Sequence, residues 1–147
     1  MDKTLSASLS LLHKTVLKPV GFLKKGATFS RQHTTHTELF NIQSSQWNGP
    51  WGRSFYVNCG LVFADLPLVH PWLLLRDTQW AGRIERVIPE APASWDYSEE
   101  TIDSVREKLG EYLLQASEAM AKDLATYRQH YLDRAERITR RLQETAA

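Results

Sequence analysis

The sequence predicts an α+β fold: an antiparallel sheet of three to five strands, packed on one face by an N-terminal helix and a long C-terminal helix or helices. Three observations lead there. Residues 3–17 carry one apolar stripe at helical spacing. Residues 54–63 alternate between apolar and polar side chains. Residues 98–143 are charged and strongly helical in pattern.

In the first segment Leu5, Leu9, Leu12 and Val16 recur at spacings of three and four, which places them on one helix face. Pro19 stops that helix and Gly21 can turn the chain. Residues 27–34, 37–46 and 54–63 are expected as strands. In the third, Phe55, Val57, Cys59, Leu61 and Phe63 face one way, and Ser54, Tyr56, Asn58 and Gly60 the other. In the second, Phe40 and Ile42 join the apolar face, and Leu39, Asn41 and Gln43 lie opposite. The connection Trp47-Asn48-Gly49-Pro50-Trp51-Gly52 carries the Asn-Gly and Gly-Pro punctuation of a hairpin. One apolar and one mostly polar face is the signature of an antiparallel sheet covered on one side.

Residues 66–82 resist assignment, because Pro67 and Pro71 oppose a continuous strand. Residues 83–88 fit a fourth strand, with Ile84 and Ile88 on one side. The Pro-containing segment from Ile88 to Ala93 reads as a connector, so the chain 1–147 is taken as a single α+β domain with 98–147 a long helical segment. Ser98 is suited to cap that helix, and Glu99 and Glu100 suit its positive end. The stripe Ile102, Val105, Leu109, Leu113, Ala116 and Met120 continues through Leu124, Tyr127, Tyr131, Ile138 and Leu142. A continuous helix of that length would span ~60 Å, which predicts either a break near 120–126 or a tail projecting beyond the domain.

Composition narrows the function classes. With 147 residues, 42% hydrophobic and 24% charged, the chain can bury a sizeable core without disulfide or metal staples. Net charge is +1, which gives no global field to recruit nucleic acid or an anionic membrane. The single cysteine, Cys59, cannot form an internal disulfide, the usage expected of a cytoplasmic protein. The run from Leu5 to Leu12 is interrupted by serines and makes a poor signal peptide. The longest apolar run, Pro71 to Leu75, is too short for a membrane span.

No catalytic or metal signature emerges, and no cofactor is implied. The five histidines form no helical ligand pair, and His33 and His36, read along a strand, point to opposite faces and want a third ligand. Cys59 falls in the inward register and reads as a small hydrophobe. Gly21 and Gly26 around Lys24-Lys25 lack the spacing of a phosphate loop. Nucleic-acid binding is disfavoured, because Arg134, Arg137, Arg140 and Arg141 are diluted by Glu136 and Glu144.

Two features stand above this background. Trp47 and Trp51 sit on a short Gly/Pro loop, where tryptophan often supplies interface hot spots. Gln43, Tyr56 and Asn58 project with Asn41 from the polar sheet face, where amides beside an aromatic can bond a partner's backbone.

Residues 17–31 (LKPVGFLKKGATFSR), 38–47 (ELFNIQSSQW), 53–63 (RSFYVNCGLVF) and 79–87 (QWAGRIERV) resemble the bacterial domain-of-unknown-function family four-three-zero-four. The matching positions are Gly21, Phe22, Lys25, Gly26, Phe40, Asn41, Gln43, Ser45, Phe55, Val57, Asn58, Arg83 and Ile84. The resemblance covers residues 1–88, with the C-terminal segment matching only in being helical, and the chain departs from the pattern at Thr78-Gln79. It implies an α+β fold and supplies no catalytic residues.

The expected function is therefore non-enzymatic protein binding, in the form of an immunity protein that neutralises a cognate bacterial toxin or effector. Trp47, Trp51, Gln43, Tyr56 and Asn58 are the expected contacts. The toxin element rests on analogy with small neutralising domains. Two alternatives stand beside it: a small hydrolase or nuclease using His33 or His36 with Asn58 and Gln43, and a homo-oligomeric structural protein that dimerises through the C-terminal helix.

Overall fold

The computed structural model of the chain describes residues 1–66 and 78–146. It has the α+β architecture expected, with a six-stranded antiparallel sheet, one strand beyond the expected range. Helix α1 is Lys3–Leu12 and continues as a wider π turn through His13–Leu17. Asp2 caps it, accepting a hydrogen bond from the Leu5 amide at 2.9 Å. Gly21 ends the following 3-10 turn at φ 99°, a left-handed conformation that glycine adopts without a Cβ penalty.

The strands are β1 Leu23–Lys25, β2 Thr28–Gln32, β3 His36–Ser44, β4 Arg53–Phe63, β5 Trp80–Arg83 and β6 Trp95–Tyr97. The first five pair in sequence order. The 11-residue β4 is long enough to take two short strands on one edge: β5 pairs with Asn58–Leu61 and β6 with Arg53–Phe55. The expected strand at 83–88 is corrected. Pairing with β4 is made by Trp80–Arg83, and Ile84–Arg86 turns away as a 3-10 helix that buries Ile84. The Pro67/Pro71 stretch lies outside the described residues. Just after it, buried Gln79 closes the end of β4, accepting from the Phe63 amide at 2.6 Å and donating to the Leu66 carbonyl at 2.8 Å.

Helix α2, Ile102–Lys122, has Thr101 at its N-cap and so begins three residues later than a cap at Ser98 would place it. Ser98 and Thr101 bond each other's backbone and hydroxyl groups instead, which holds 98–101 as a turn before the helix. Both outcomes foreseen for the long helix occur together. It breaks at Asp123, and helix α3, Leu124–Ala146, projects: residues 139–146 are all exposed. Tyr127 packs on Trp80 at 4.4 Å between ring centres, Tyr131 is buried, and Arg128 grips Asp65 with two bonds of 2.7 Å.

The core lies between the sheet and the helices. Phe29, Phe40, Ile42, Phe55, Val57, Cys59 and Leu61 meet Leu5, Leu9 and Leu12 of α1 and Leu109, Leu113 and Met120 of α2 in one apolar cluster. The inward and outward registers of β3 and β4 are those the alternation predicts. That leaves one sheet face covered and the other carrying polar side chains.

Candidate functional site

The outer face of β3 and β4 is a ladder of polar rungs, successive rungs lying ~7 Å apart. Asn41 pairs with Asn58 and Gln43 with Tyr56, while Arg83 of β5 sits across from Asn58. The guanidinium of Arg83 can only donate, so it sets the direction of every bond that follows. Its Nη1 donates to Asn58 Oδ1 at 2.7 Å and to Gln43 Oε1 at 3.0 Å. With its oxygen engaged, Asn58 donates through Nδ2 to Asn41 Oδ1 at 3.2 Å and to Gln43 Oε1 at 3.1 Å. Asn41 in turn donates to Thr28 Oγ1 at 3.0 Å. One polarised chain of hydrogen bonds thus crosses β5, β4, β3 and β2. The Arg83 guanidinium also lies 4.5 Å from the centre of the Tyr56 ring, within cation–π range.

This network divides the sequence-predicted residues into two kinds. Asn58 is 2% exposed and both ends of its amide are engaged, so it orients its neighbours rather than meeting a partner. Gln43 is exposed, and its oxygen accepts from both Asn58 and Arg83. Arg83, which organises the face, is absent from the contacts expected on sequence. Its position on the matching strand after 79 is the signal that could have placed it there.

Next along β3 and β4 comes the hairpin tip. Trp47 and Trp51 are 72% and 83% exposed. The tip is pinned at its base. Asn48 donates to the Ser54 carbonyl at 3.1 Å and accepts from the Ser54 amide at 2.8 Å. The Trp47 amide bonds Ser45 Oγ, and Gly49 and Gly52 exchange backbone bonds of 3.1 and 3.2 Å around Pro50-Trp51. An open groove of about 460 Å³ runs between the two tryptophans, Ser45, Ser54 and Asp96. Along the β3–β4 hairpin the five residues expected as contacts follow in the order Asn58, then Gln43 and Tyr56, then Trp47 and Trp51 at the tip.

The histidines are placed differently from the sequence reading. His33 and His36 do not point to opposite faces; their rings stack at 4.5 Å and 18°. The chain is not a continuous strand there. Residues 33–36 form a tight hairpin turn, closed by the His33 amide on the His36 carbonyl at 2.7 Å, and residues facing each other across a hairpin share a face. The same inward face brings Arg31 opposite Glu38. Glu38 is 2% exposed, and its Oε2 lies 2.6 Å from His33 Nε2. Among the described residues, His33, His36 and Glu38 are the group whose ligating atoms lie close enough to hold a metal, all within 4.8 Å of one another. Burial and the neighbouring His33 hold the His36 pKa below its ordinary value.

The constellation required by the hydrolase reading is not assembled. His36 belongs to the inward register of β3 with Glu38, Phe40 and Ile42, whereas Gln43 and Asn58 are on the outward register, so the sheet lies between them. Cys59 is buried, and burial pushes its thiol far above the ordinary range, so it is not a nucleophile at neutral pH.

A small antiparallel sheet, roofed by helices on one face and wired by an Arg–amide network on the other, is the class of protein defined here. Residues 13–119 match the family described as Domain of unknown function (DUF4304), and the chain belongs to that family. The match reaches into α2, past the limit of residue 88 expected from sequence, and leaves α1 before it and α3 after it. Neither a curated protein nor a solved structure matches the chain.

Proposed function

We propose that this domain binds a protein partner through the strip that runs from the Trp47–Trp51 tip to Gln43 and Tyr56. The observation that carries the reading is the tip itself: two large aromatic side chains held in solvent on a hairpin whose base is pinned by Asn48 and by the Gly49–Gly52 pair. A pinned tip loses little conformational freedom on binding, so more of the interaction appears as affinity. The Gln43 amide NH2 suits a main-chain carbonyl of the partner. Within this proposal the partner is a toxin or effector whose working surface the strip covers, as in small neutralising domains, an analogy of size and architecture.

The test uses the full tagged chain as bait, with wild type and a Trp47→Ala/Trp51→Ala variant compared side by side. A stoichiometric partner is identified by mass spectrometry and its affinity measured with purified components. Loss of the tip should weaken binding by roughly 30-fold or more, since a hot-spot residue contributes about 2 kcal/mol. Undiminished affinity in a normally folded double variant overturns the site. A partner whose activity is untouched when bound overturns the neutralising role.

A further inference from the structure

We infer that His33, His36 and Glu38 form a site for a borderline divalent cation, zinc in the first instance, at the β2–β3 hairpin end. This site is independent of the outer-face strip, because its ligands are on the helix-covered side of the sheet. Three donors of two chemical types converge from one short hairpin: imidazole nitrogen, imidazole nitrogen and carboxylate oxygen, mutually within 4.8 Å. Two imidazoles and a carboxylate form a ligand set that zinc accepts, with its remaining position open to water.

The surroundings of the ligands fit the same reading. Glu38 is held on its Oε1 side by Ser117 Oγ at 2.5 Å and Arg31 Nη2 at 3.3 Å, which leaves Oε2 as the oxygen that faces His33. The His36 ring is fixed by Thr35 Oγ1, 2.9 Å from Nδ1. Outer hydrogen bonds of this kind orient metal ligands. His33 is 35% exposed at its side chain, which gives the ion a route from solvent to the buried carboxylate. Arg31 compensates the Glu38 charge, and that selects against magnesium and calcium, which need several anionic oxygens, in favour of an ion that binds neutral imidazole. On binding, the cation takes the place of the hydrogen between His33 Nε2 and Glu38 Oε2; a neutral His33 then carries its proton on Nδ1, and an imidazolium releases one proton to solvent.

Zinc chloride titrated into the metal-stripped full chain, followed by calorimetry and thermal unfolding, tests the inference. One ion per chain should bind, and at ~100-fold excess over Kd the Tm should rise by about 5–10 °C. His33→Ala should weaken binding at least ~10-fold, and the His33→Ala/His36→Gln double variant should abolish the Tm rise. Glu38 reaches into the core and its variants can lose stability on their own, so the half-exposed His33 is the deciding position. His130→Ala, far along the chain on α3, should bind as wild type. Absence of stoichiometric binding overturns the site, as does a double variant that binds like wild type or a loss of binding in His130→Ala.

Discussion

Arg83 Nη1 lies 2.7 Å from Asn58 Oδ1, and this bond sets the polarity of the outer sheet face. A donor-only group at one edge forces Asn58 to present its nitrogen to Asn41 and Gln43. Removing Asn58 leaves the Asn41 oxygen without its donor and takes from the guanidinium the shorter of its two bonds. Asn58→Ala should therefore cost about 1–3 kcal/mol in urea unfolding. Arg83→Met keeps the aliphatic stem and removes the donor, and should cost about 1 kcal/mol. The double variant should cost less than the sum of the two, because the sites share a partner. Additive losses contradict a single network.

On the opposite face, Ser117 of α2 and Glu38 of β3 meet across 79 residues of sequence. Ser117→Ala removes one of the groups that stabilise a buried carboxylate, and should lower stability by about 1–3 kcal/mol. Glu38→Ala leaves Arg31 without its buried partner and should cost about 3–5 kcal/mol. Calorimetric unfolding checks both; the order of the two losses is the critical outcome.

Acid stability should carry the mark of Asp2. Burial by itself would raise its pKa, but the Leu5 amide, the Tyr97 hydroxyl and Arg53 outweigh burial and hold the carboxyl below its usual value. Tyr97 donates to Asp2 Oδ2 at 2.6 Å. A carboxyl depressed on folding contributes stability that is present above about pH 4 and lost as pH falls through its folded value. Asp2→Asn retains the helix cap and removes the charge. The gap between wild type and Asp2→Asn should be about 1 kcal/mol at neutral pH and should close below pH 4. A gap independent of pH excludes this role.

The α1–α2 contact depends on Gly110. A Cβ at this position would lie 3.0 Å from Leu12 Cδ1, and Leu12 is itself 1% exposed. Alanine gains about 1 kcal/mol of helix propensity and spends it displacing Leu12, so Gly110→Ala should change stability by less than about 0.5 kcal/mol. Gly110→Val overfills the contact and should cost about 1–3 kcal/mol. Equilibrium denaturation of the two variants separates these cases.

The tryptophan tip makes the reverse prediction. Both side chains are mostly in solvent, and Trp47→Ala/Trp51→Ala should move the unfolding free energy by no more than about 0.5 kcal/mol. A larger loss would mean that the tip supports the fold, and would remove the basis for reading it as a recognition element.

Much of this protein is determined by local sequence. Alternation in 54–63 assigns Phe55, Val57 and Cys59 to the core and Tyr56 and Asn58 to the outer face, because side chains alternate along any strand. The stripe Leu5, Leu9 and Leu12 likewise names the buried side of α1. The strip that joins Gln43, Tyr56 and Asn58 follows from the same alternation once two strands are paired. What tertiary structure decided is what depends on partners distant in sequence. Trp80–Arg83 became the fifth strand of the meander because β4 offered an edge there, which 83–88 alone could not reveal. Arg83 joined the polar face, and Glu38 met Ser117, across 25 and 79 residues. His33 and His36 came together because the chain reverses between them. Periodicity states which side of an element a residue occupies, whereas pairing and packing state what it meets there, and only the folded chain contains the second kind of information.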